Sequence, residues 1–275
     1  RHSEKNLMKR KIGILAEKLN HSLSPVIHNY WDNLYKTNFL YKKFEIKKEL
    51  LEKFFNDYRK NNTFSGFNIT IPYKEICMTY CDKISSSAKK IGSVNLIYKK
   101  NKIIYGDNTD VIGFSKCYNS LKIEKPKTVL VVGAGGAARA VLYFLNKKNI
   151  VNIDVFAPSL KRKVGLETCF NFKNFINKST KLKNKYDLII NASSAGMVGK
   201  SSLNRNIINL VKSSKSVIDI VYNPIITDLL KKADLENKNY IGGLTMLVEQ
   251  AKPSFERWTG KKIIIDQDLY KKIER

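Results

Sequence analysis

In the second half of the chain, apolar positions fall in short continuous runs separated by polar segments. The runs lie over 129–132, 150–156, 188–191 and 216–221. Runs of this length are typical of strands buried on both faces of a parallel sheet. The segments between them have helical spacing, as a doubly wound α/β sheet requires. This half of the chain is therefore predicted to form a Rossmann-type domain.

The first half also alternates between strand and helix patterns. The sequence predicts strands over 11–15, 41–46 and 66–71, a hairpin from 94–98 and 102–105, and helices over 24–35, 48–59 and 110–121. Ser24 followed by Pro25 is a favourable helix start, and Pro72 predicts the start of another helix. A last helix is predicted over 246–259. At 275 residues, the chain has the length of one large or two ordinary domains.

A glycine-rich loop directly follows the run at 129–132. It consists of Gly133, Ala134, Gly135, Gly136 and Ala137. Strand, glycine turn and helix is the context in which this pattern indicates a dinucleotide site. The glycines permit the tight turn and the close approach of a pyrophosphate to the backbone. That phosphate would bind to the free amides of the following helix.

Composition restricts the classes of protein to which this chain can belong. Lysine and arginine total 50 against 24 acidic residues, a formal charge of +26. Because the lysines are scattered and no nucleic-acid-reading motif accompanies them, we interpret the charge as compositional bias. Four irregularly spaced cysteines predict free thiols and a cytoplasmic protein, and no metal site is expected. The basic N-terminus is not followed by a signal-peptide core, and no apolar run is long enough to span a membrane.

Three polar clusters precede the glycine loop, at 21–25, 68–74 and 106–110. Each has an ordinary structural explanation: a helix cap, a solvated lysine or a turn rich in Asx side chains. Each also lies at the end of a predicted strand or at a helix entrance, where open α/β sheets bind ligands. Their joint occurrence upstream of a dinucleotide loop favours an active site.

Together these motifs resemble the shikimate dehydrogenase family. The motifs are HSLSP, NITIPYK, SVN, GDNTD, VVGAGGAA, NASSAG and GGLTMLVEQA, and the resemblance spans the chain from about Lys11 to about Trp258. The resemblance implies an α/β fold with two domains and a cleft between them. It assigns residues 1–112 with 246–275 to a substrate-binding domain and 113–245 to an NADP-binding Rossmann domain.

The resemblance also implies an activity and roles for individual residues. The activity is NADPH-dependent, reversible reduction of 3-dehydroshikimate to shikimate in chorismate and aromatic amino acid biosynthesis. The implied catalytic pair is Lys74 and Asp110. Implied substrate ligands are Ser22, Ser24, Thr70, Asn95, Tyr222 and Gln250. Implied cofactor contacts are Gly133, Ala134, Gly135, Gly136, Ala137, Ser159, Arg162, Gly243 and Met246.

The segment after the second Rossmann strand predicts NADP rather than NAD. An acidic residue there would bind the ribose 2′-hydroxyl of NAD, whereas a basic residue accommodates the 2′-phosphate of NADP. No acid follows the strand, Asp154 lies inside it and is expected to point elsewhere, and Arg162 is available to pair a phosphate. The family's usual Asn-Arg-Thr reads Ala157-Pro158-Ser159 here, so one arginine is missing.

Other functions remain open at this point. An NAD-dependent quinate/shikimate dehydrogenase is the nearest alternative, and a folate-linked dehydrogenase with a similar plan is more distant. A non-catalytic, basic nucleotide- or nucleic-acid-binding protein on the same scaffold is a third. We expect a small-molecule substrate, no specific nucleic acid, no membrane, and a monomer or homodimer.

Overall fold

The computed structural model describes residues 10–19, 22–177 and 181–274. His21 of the first polar cluster and the N-terminal residues 1–9 lie outside the described residues. The chain forms two compact units. The first comprises the described residues of Arg1–Ala88, Ser93–Asn108 and Ala251–Arg275, and the second those of Lys89–Gly92 and Thr109–Gln250.

The first unit is built on a mixed sheet. Its strands are β1 (Arg10–Ala16), β2 (Phe39–Glu45), β3 (Phe64–Ile69), β4 (Lys83–Ile84), β5 (Leu96–Lys100) and β6 (Ile103–Asp107). They are ordered β2-β1-β3-β5-β6-β4. β1 pairs in parallel with β2 and β3, whereas β5 is antiparallel to both β3 and β6.

The second unit contains a parallel sheet. Its strands are β7 (Val129–Val132), β8 (Ile153–Phe156), β9 (Asn174–Ile176), β10 (Leu188–Asn191), β11 (Ser216–Asp219) and β12 (Asn239–Ile241). The order β12-β11-β10-β7-β8-β9 reverses direction between β7 and β10. That reversal is the point where doubly wound sheets bind their ligands.

Helices and 3₁₀ turns connect the strands. The α-helices are α1 (Ser24–Tyr35), α2 (Leu51–Lys60), α3 (Ser86–Ile91), α4 (Asp110–Ser120), α5 (Gly136–Lys147), α6 (Lys163–Glu167), α7 (Arg205–Leu210), α8 (Asp228–Leu235), α9 (Gly243–Thr259) and α10 (Gln267–Ile273). The 3₁₀ turns are Lys48–Leu50, Ile76–Tyr80, Leu160–Arg162 and Val211–Ser213.

Alternate residues of the second unit's strands supply two separate apolar cores. Val129 and Val131 of β7 face a core that includes α4 and α5. Leu130 and Val132 face the opposite core, which includes α7 and α8. Because both faces of the sheet are covered, its strands read as continuous apolar runs. The predicted α/β fold with a doubly wound Rossmann-type domain is confirmed.

Residues of β1 likewise contribute to two apolar cores in the first unit. Ile12 and Ile14 pack with Trp258 of α9, whereas Leu15 packs with Leu51 and Phe55 of α2. Among the described residues of both units, no helix combines the length and the apolar character that a membrane crossing requires.

Several predicted element limits are wrong. No α-helix begins at Pro72: residues 71, 72, 74 and 75 form turns, and a 3₁₀ turn starts only at Ile76. The last long helix begins at Gly243 rather than at residue 246. β8 and β11 are shorter than the predicted runs, and β9 and β12 carry no strand prediction.

Candidate active site

Backbone hydrogen bonds join the segments that carry three candidate residues of the first unit at the end of β3. The amide of Ile69 donates to the carbonyl of Asn95 at 2.8 Å, and the amide of Val94 donates to the carbonyl of Lys74 at 2.8 Å. Thr70 directly follows Ile69, the last residue of β3. Thr70, Lys74 and Asn95 therefore lie at one end of the sheet.

Lys74 is held in place by its neighbour Tyr73. The Tyr73 side chain is buried, and its hydroxyl donates to the carbonyl of Ile46 at 2.7 Å. The Tyr73 amide donates to the carbonyl of Thr70 at 2.9 Å. Because this tight turn is hydrogen-bonded to Thr70, directly after β3, no helix starts at Pro72.

The two candidate serines follow β1 at the same end of the sheet. The amide of Ser24 donates to Oγ of Ser22 at 3.3 Å, and Ser24 is buried at the start of α1. The carbonyl of Leu15, near the end of β1, accepts from the amide of Thr70 at 3.1 Å. The segment that begins at Thr70 is therefore bonded to the end of β1, the strand that precedes the two serines in the chain.

Asn68 supports this end of the sheet, a function that the sequence analysis missed. Its Oδ1 accepts from the Tyr41 hydroxyl at 2.9 Å. Its Nδ2 donates to the Asn95 carbonyl at 3.2 Å and to Ser254 Oγ at 3.0 Å. An asparagine between the apolar residues Phe67 and Ile69 of β3 is the signal that could have identified it, since strands disfavour this residue.

The glycine loop of the second unit crosses the sheet's reversal point. Gly133 has a φ of +117°, and a Cβ there would lie 2.7 Å from the carbonyl oxygen of Ala192. A side chain at this position would therefore be both strained and crowded. The Gly133 amide donates to the Phe156 carbonyl at 2.8 Å.

The residues of this loop fit a dinucleotide phosphate. A Cβ on Gly135 would meet no described atom within 4 Å, so the backbone is open to a close approach. Gly136 begins the twelve-residue helix α5, with Ala137 in its first turn. The positive end of the helix dipole favours an anion at this point.

Arg162 reaches the glycine loop from the segment after β8. Its Nη1 donates to the carbonyl of Ala134 at 3.3 Å. Ser159 Oγ accepts from the Lys161 amide at 3.2 Å and so caps the 3₁₀ turn that carries Arg162. The guanidinium is therefore close to the loop that would hold the pyrophosphate.

Asp154 points away from this segment, as the sequence predicted. It is fully buried, and its carboxylate accepts from Tyr186 Oη and Asn174 Nδ2, each at 2.8 Å. Lys183 Nζ lies 2.9 Å from the same carboxylate. A carboxylate committed to three partners is not available to a ribose hydroxyl.

Asp110 and Gln250 are connected through Thr109. Thr109 precedes α4, but its hydroxyl makes no cap hydrogen bond. It donates instead to the Gln250 carbonyl at 2.8 Å. Asp110 is the first residue of α4 and is only 3% exposed. The helix dipole favours a negative charge there.

Tyr222 follows the end of β11, and Gly243 and Met246 follow the end of β12. Burial raises the pKa of Tyr222 above its ordinary value. A Cβ on Gly243 would collide with the Ile220 carbonyl oxygen, and Met246 is buried in the core shared with α4 and α5. Of the predicted catalytic pair, Lys74 belongs to the first unit and Asp110 to the second.

Comparisons with known families match both ends of the chain. Residues 14–97 match the family model described as the shikimate dehydrogenase substrate binding domain. Residues 243–263 match the model described as the shikimate 5′-dehydrogenase C-terminal domain.

Whole-chain relatives agree. The chain is 39% identical over 251 residues to a shikimate dehydrogenase (NADP(+)) of Clostridium beijerinckii, covering 90% of each chain. Shikimate dehydrogenase of Aquifex aeolicus superposes with a TM-score of 0.86 at 31% identity, covering 98% of this chain and 99% of that one. The enzyme of Thermus thermophilus, solved in complex with NADP(H) and shikimate, superposes with a TM-score of 0.81 at 26% identity, covering 96% and 98%. This chain belongs to the shikimate dehydrogenase family.

Proposed function

We propose that this protein catalyses the NADPH-dependent, reversible reduction of 3-dehydroshikimate to shikimate, a step of chorismate and aromatic amino acid biosynthesis. The observation that carries the proposal is that the chain contains residues suited to each of two tasks, binding the cofactor and binding the substrate. A glycine loop at the reversal point of one sheet suits a dinucleotide, and Thr70, Lys74 and Asn95 converge at one end of the other. The relatives of this chain carry the same activity in their names.

The first unit is proposed to bind the substrate and the second to bind NADP. Ser22 and Ser24 would hold the substrate carboxylate, and Thr70 and Asn95 its ring hydroxyls. Tyr222 and Gln250 are proposed as further substrate ligands. A site that pairs each hydroxyl rejects analogues lacking one, because a buried partner would be left unmatched. The exact domain limits, at 112/113 and 245/246, stay a prediction.

Lys74 is proposed as the proton carrier. NADPH, when bound, supplies the hydride. The carbonyl oxygen of the substrate must gain a proton as it becomes a hydroxyl. The Lys74 ammonium donates that proton and stabilises the negative charge developing on the oxygen. In the reverse direction the neutral amine accepts it. Asp110 is proposed as the second catalytic residue.

The preference for NADP is proposed to rest on Arg162 and Ser159. A guanidinium pairs a 2′-phosphate in a bidentate manner, and Asp154, the acidic residue inside β8, is committed to its buried partners. Gly133, Ala134, Gly135, Gly136 and Ala137 would hold the pyrophosphate, and Gly243 and Met246 would border the nicotinamide. A cytoplasmic location and a monomeric or homodimeric state stay predictions.

A two-by-two steady-state assay tests this function. The purified protein is given shikimate or quinate with NADP or NAD, and formation of the reduced nicotinamide is followed by absorbance. We expect the highest kcat/KM for shikimate with NADP. Preferred oxidation of quinate with NAD would support the alternative enzyme. No turnover together with salt-sensitive retention of DNA or RNA would support the non-catalytic alternative.

A further inference from the structure

Asp219 is the last residue of strand β11, and the proposed mechanism does not use its carboxylate. The residue is 1% exposed. Its Oδ1 accepts from Asn191 Nδ2 and from the Val221 amide, each at 3.0 Å. Its Oδ2 accepts from the Thr227 hydroxyl at 2.7 Å. Three donors therefore converge on one carboxylate.

These donors come from separate segments at the carboxyl ends of the sheet's strands. Asn191 ends β10, and its side chain also organises the loop that follows: Nδ2 donates to the Ala195 carbonyl at 3.0 Å, and Oδ1 accepts from the Ser193 hydroxyl at 2.7 Å. Thr227 caps α8 by accepting from the Leu230 amide at 3.3 Å. Asp219 thus joins the 191–196 loop, the segment after β11 and the start of α8.

The direct partners of Asp219 are all neutral. The charged groups on α8 pair elsewhere: Asp228 with Lys231 at 3.2 Å, and Lys232 with Glu236 at 2.6 Å. Asp234, also on α8, accepts from the hydroxyl of Tyr240 on β12 at 3.2 Å. Burial raises the pKa of Asp219 to about 6, so the carboxylate is mainly ionised at neutral pH. A buried charge is costly unless hydrogen bonds compensate it, and here three do.

The segment that Asp219 fixes carries two candidate site residues. The amide of Val221 donates to Asp219, and the Val221 carbonyl accepts from the Gly243 amide at 3.3 Å. The Ile220 amide donates to the Asn191 carbonyl at 3.0 Å, and the Ile220 carbonyl lies against Gly243. Tyr222 is the next residue along the chain. A shift of this segment would move both Tyr222 and Gly243.

We propose that Asp219 is a positioning residue, whose carboxylate holds the 219–222 segment so that Tyr222 meets the substrate and Gly243 borders the nicotinamide. The inference rests on the proposed function, since Tyr222 and Gly243 take their roles from it. Asp219 itself touches neither substrate nor cofactor in this proposal.

Asp219→Asn keeps the side chain's shape but has only one acceptor oxygen for three donors. We expect kcat/KM for shikimate to fall about tenfold or more, the effect of losing a hydrogen bond to a charged group, with the larger part in KM. Asp228→Asn is the matched control, because Asp228 is an exposed aspartate on α8. Equal kcat/KM in the two variants would overturn the proposal.

A double-mutant cycle separates positioning from general destabilisation. If Asp219 acts through Tyr222, the losses caused by Asp219→Asn and Tyr222→Phe will not multiply in the double variant, because the second change removes a contact that is already displaced. Losses that multiply would show that the two residues act independently, which contradicts the proposal. Thermal unfolding of each variant checks that the fold is retained.

Hydrogen exchange gives a readout that does not depend on turnover. We expect faster exchange of the amides within 191–196 and 219–224 in Asp219→Asn than in Asp228→Asn. Unchanged exchange would refute the positioning role even in an active enzyme. If the unmodified protein lacks shikimate-dependent activity, the proposed function fails, whereas the exchange result still decides whether Asp219 holds these segments.

Discussion

His28 provides a quantitative test of how the first unit is packed. The residue lies on α1 and is 1% exposed. Its ring stacks on Tyr41 with centroids 4.2 Å apart, and the rings of Trp31 and Trp258 lie at 5.7 and 5.5 Å. Burial lowers the pKa of His28 from 6.5 to about 3, with the Asn68 side chain acting in the opposite direction. The imidazole is therefore neutral in the folded protein.

The sign of the pH dependence follows from this shift. Because the unfolded chain binds a proton near pH 6.5 and the folded chain does not, stability falls as the pH drops below 6.5, and the loss levels off below about pH 3. With 1.36 kcal/mol for each pKa unit, the His28 contribution falls by about 2 kcal/mol between pH 7.5 and pH 5. The raised pKa of Asp219 has the opposite effect on stability over much of the same pH range. The pH dependence of the wild-type protein's stability therefore does not isolate the His28 contribution.

Comparison with His28→Phe isolates the effect. Phenylalanine keeps a ring against Tyr41 but cannot take up a proton. Urea unfolding is followed by tryptophan fluorescence, which reports on this unit because the chain's two tryptophans, Trp31 and Trp258, both lie in it. The stability difference between the two proteins should change by about 2 kcal/mol between pH 7.5 and pH 5, in favour of the variant at low pH. A difference that is independent of pH would refute a neutral, buried His28.

Two further predictions concern the second unit. Arg162→Ala should weaken NADP binding far more than NAD binding, because only NADP carries the phosphate that the guanidinium would pair; equal weakening in titrations with both cofactors would contradict that role. Gly243→Ala should lower the melting temperature and raise KM for NADP, because its Cβ would collide with the Ile220 carbonyl. An alanine variant with unchanged melting temperature and KM would show that the backbone there adapts easily.

The strands of the Rossmann-type domain were predictable because burial on both faces produces uninterrupted apolar runs. β7 agrees with its prediction to the residue. β9 and β12 escaped prediction because they lie at the sheet's edges, are three residues long and begin with asparagine. Pro72 misled the prediction because proline suits a tight turn as well as a helix start. The hydrogen bonds that tie Tyr73 back to Thr70 and Ile46 decide between the two.

The candidate site was only partly predictable. Local motifs predict the glycine loop and the residues around Lys74 as site residues, since their spacing reflects local backbone geometry. Supporting contacts join residues far apart in the chain: Asn68 and Ser254 are separated by 186 positions. The Asp219–Asn191 pair is likewise fixed by strand register rather than by sequence spacing. Such contacts follow from the topology and carry little local signal.

The most direct test of the proposed chemistry is the rate of NADPH oxidation by 3-dehydroshikimate in Lys74→Ala, with Lys53→Ala, an exposed lysine on α2, as the matched control. If Lys74 carries the proton, kcat falls by about 10²-fold or more while the dissociation constant of shikimate changes much less, and the control keeps wild-type kinetics. A Lys74→Ala enzyme that retains its kcat and loses only affinity would contradict the account.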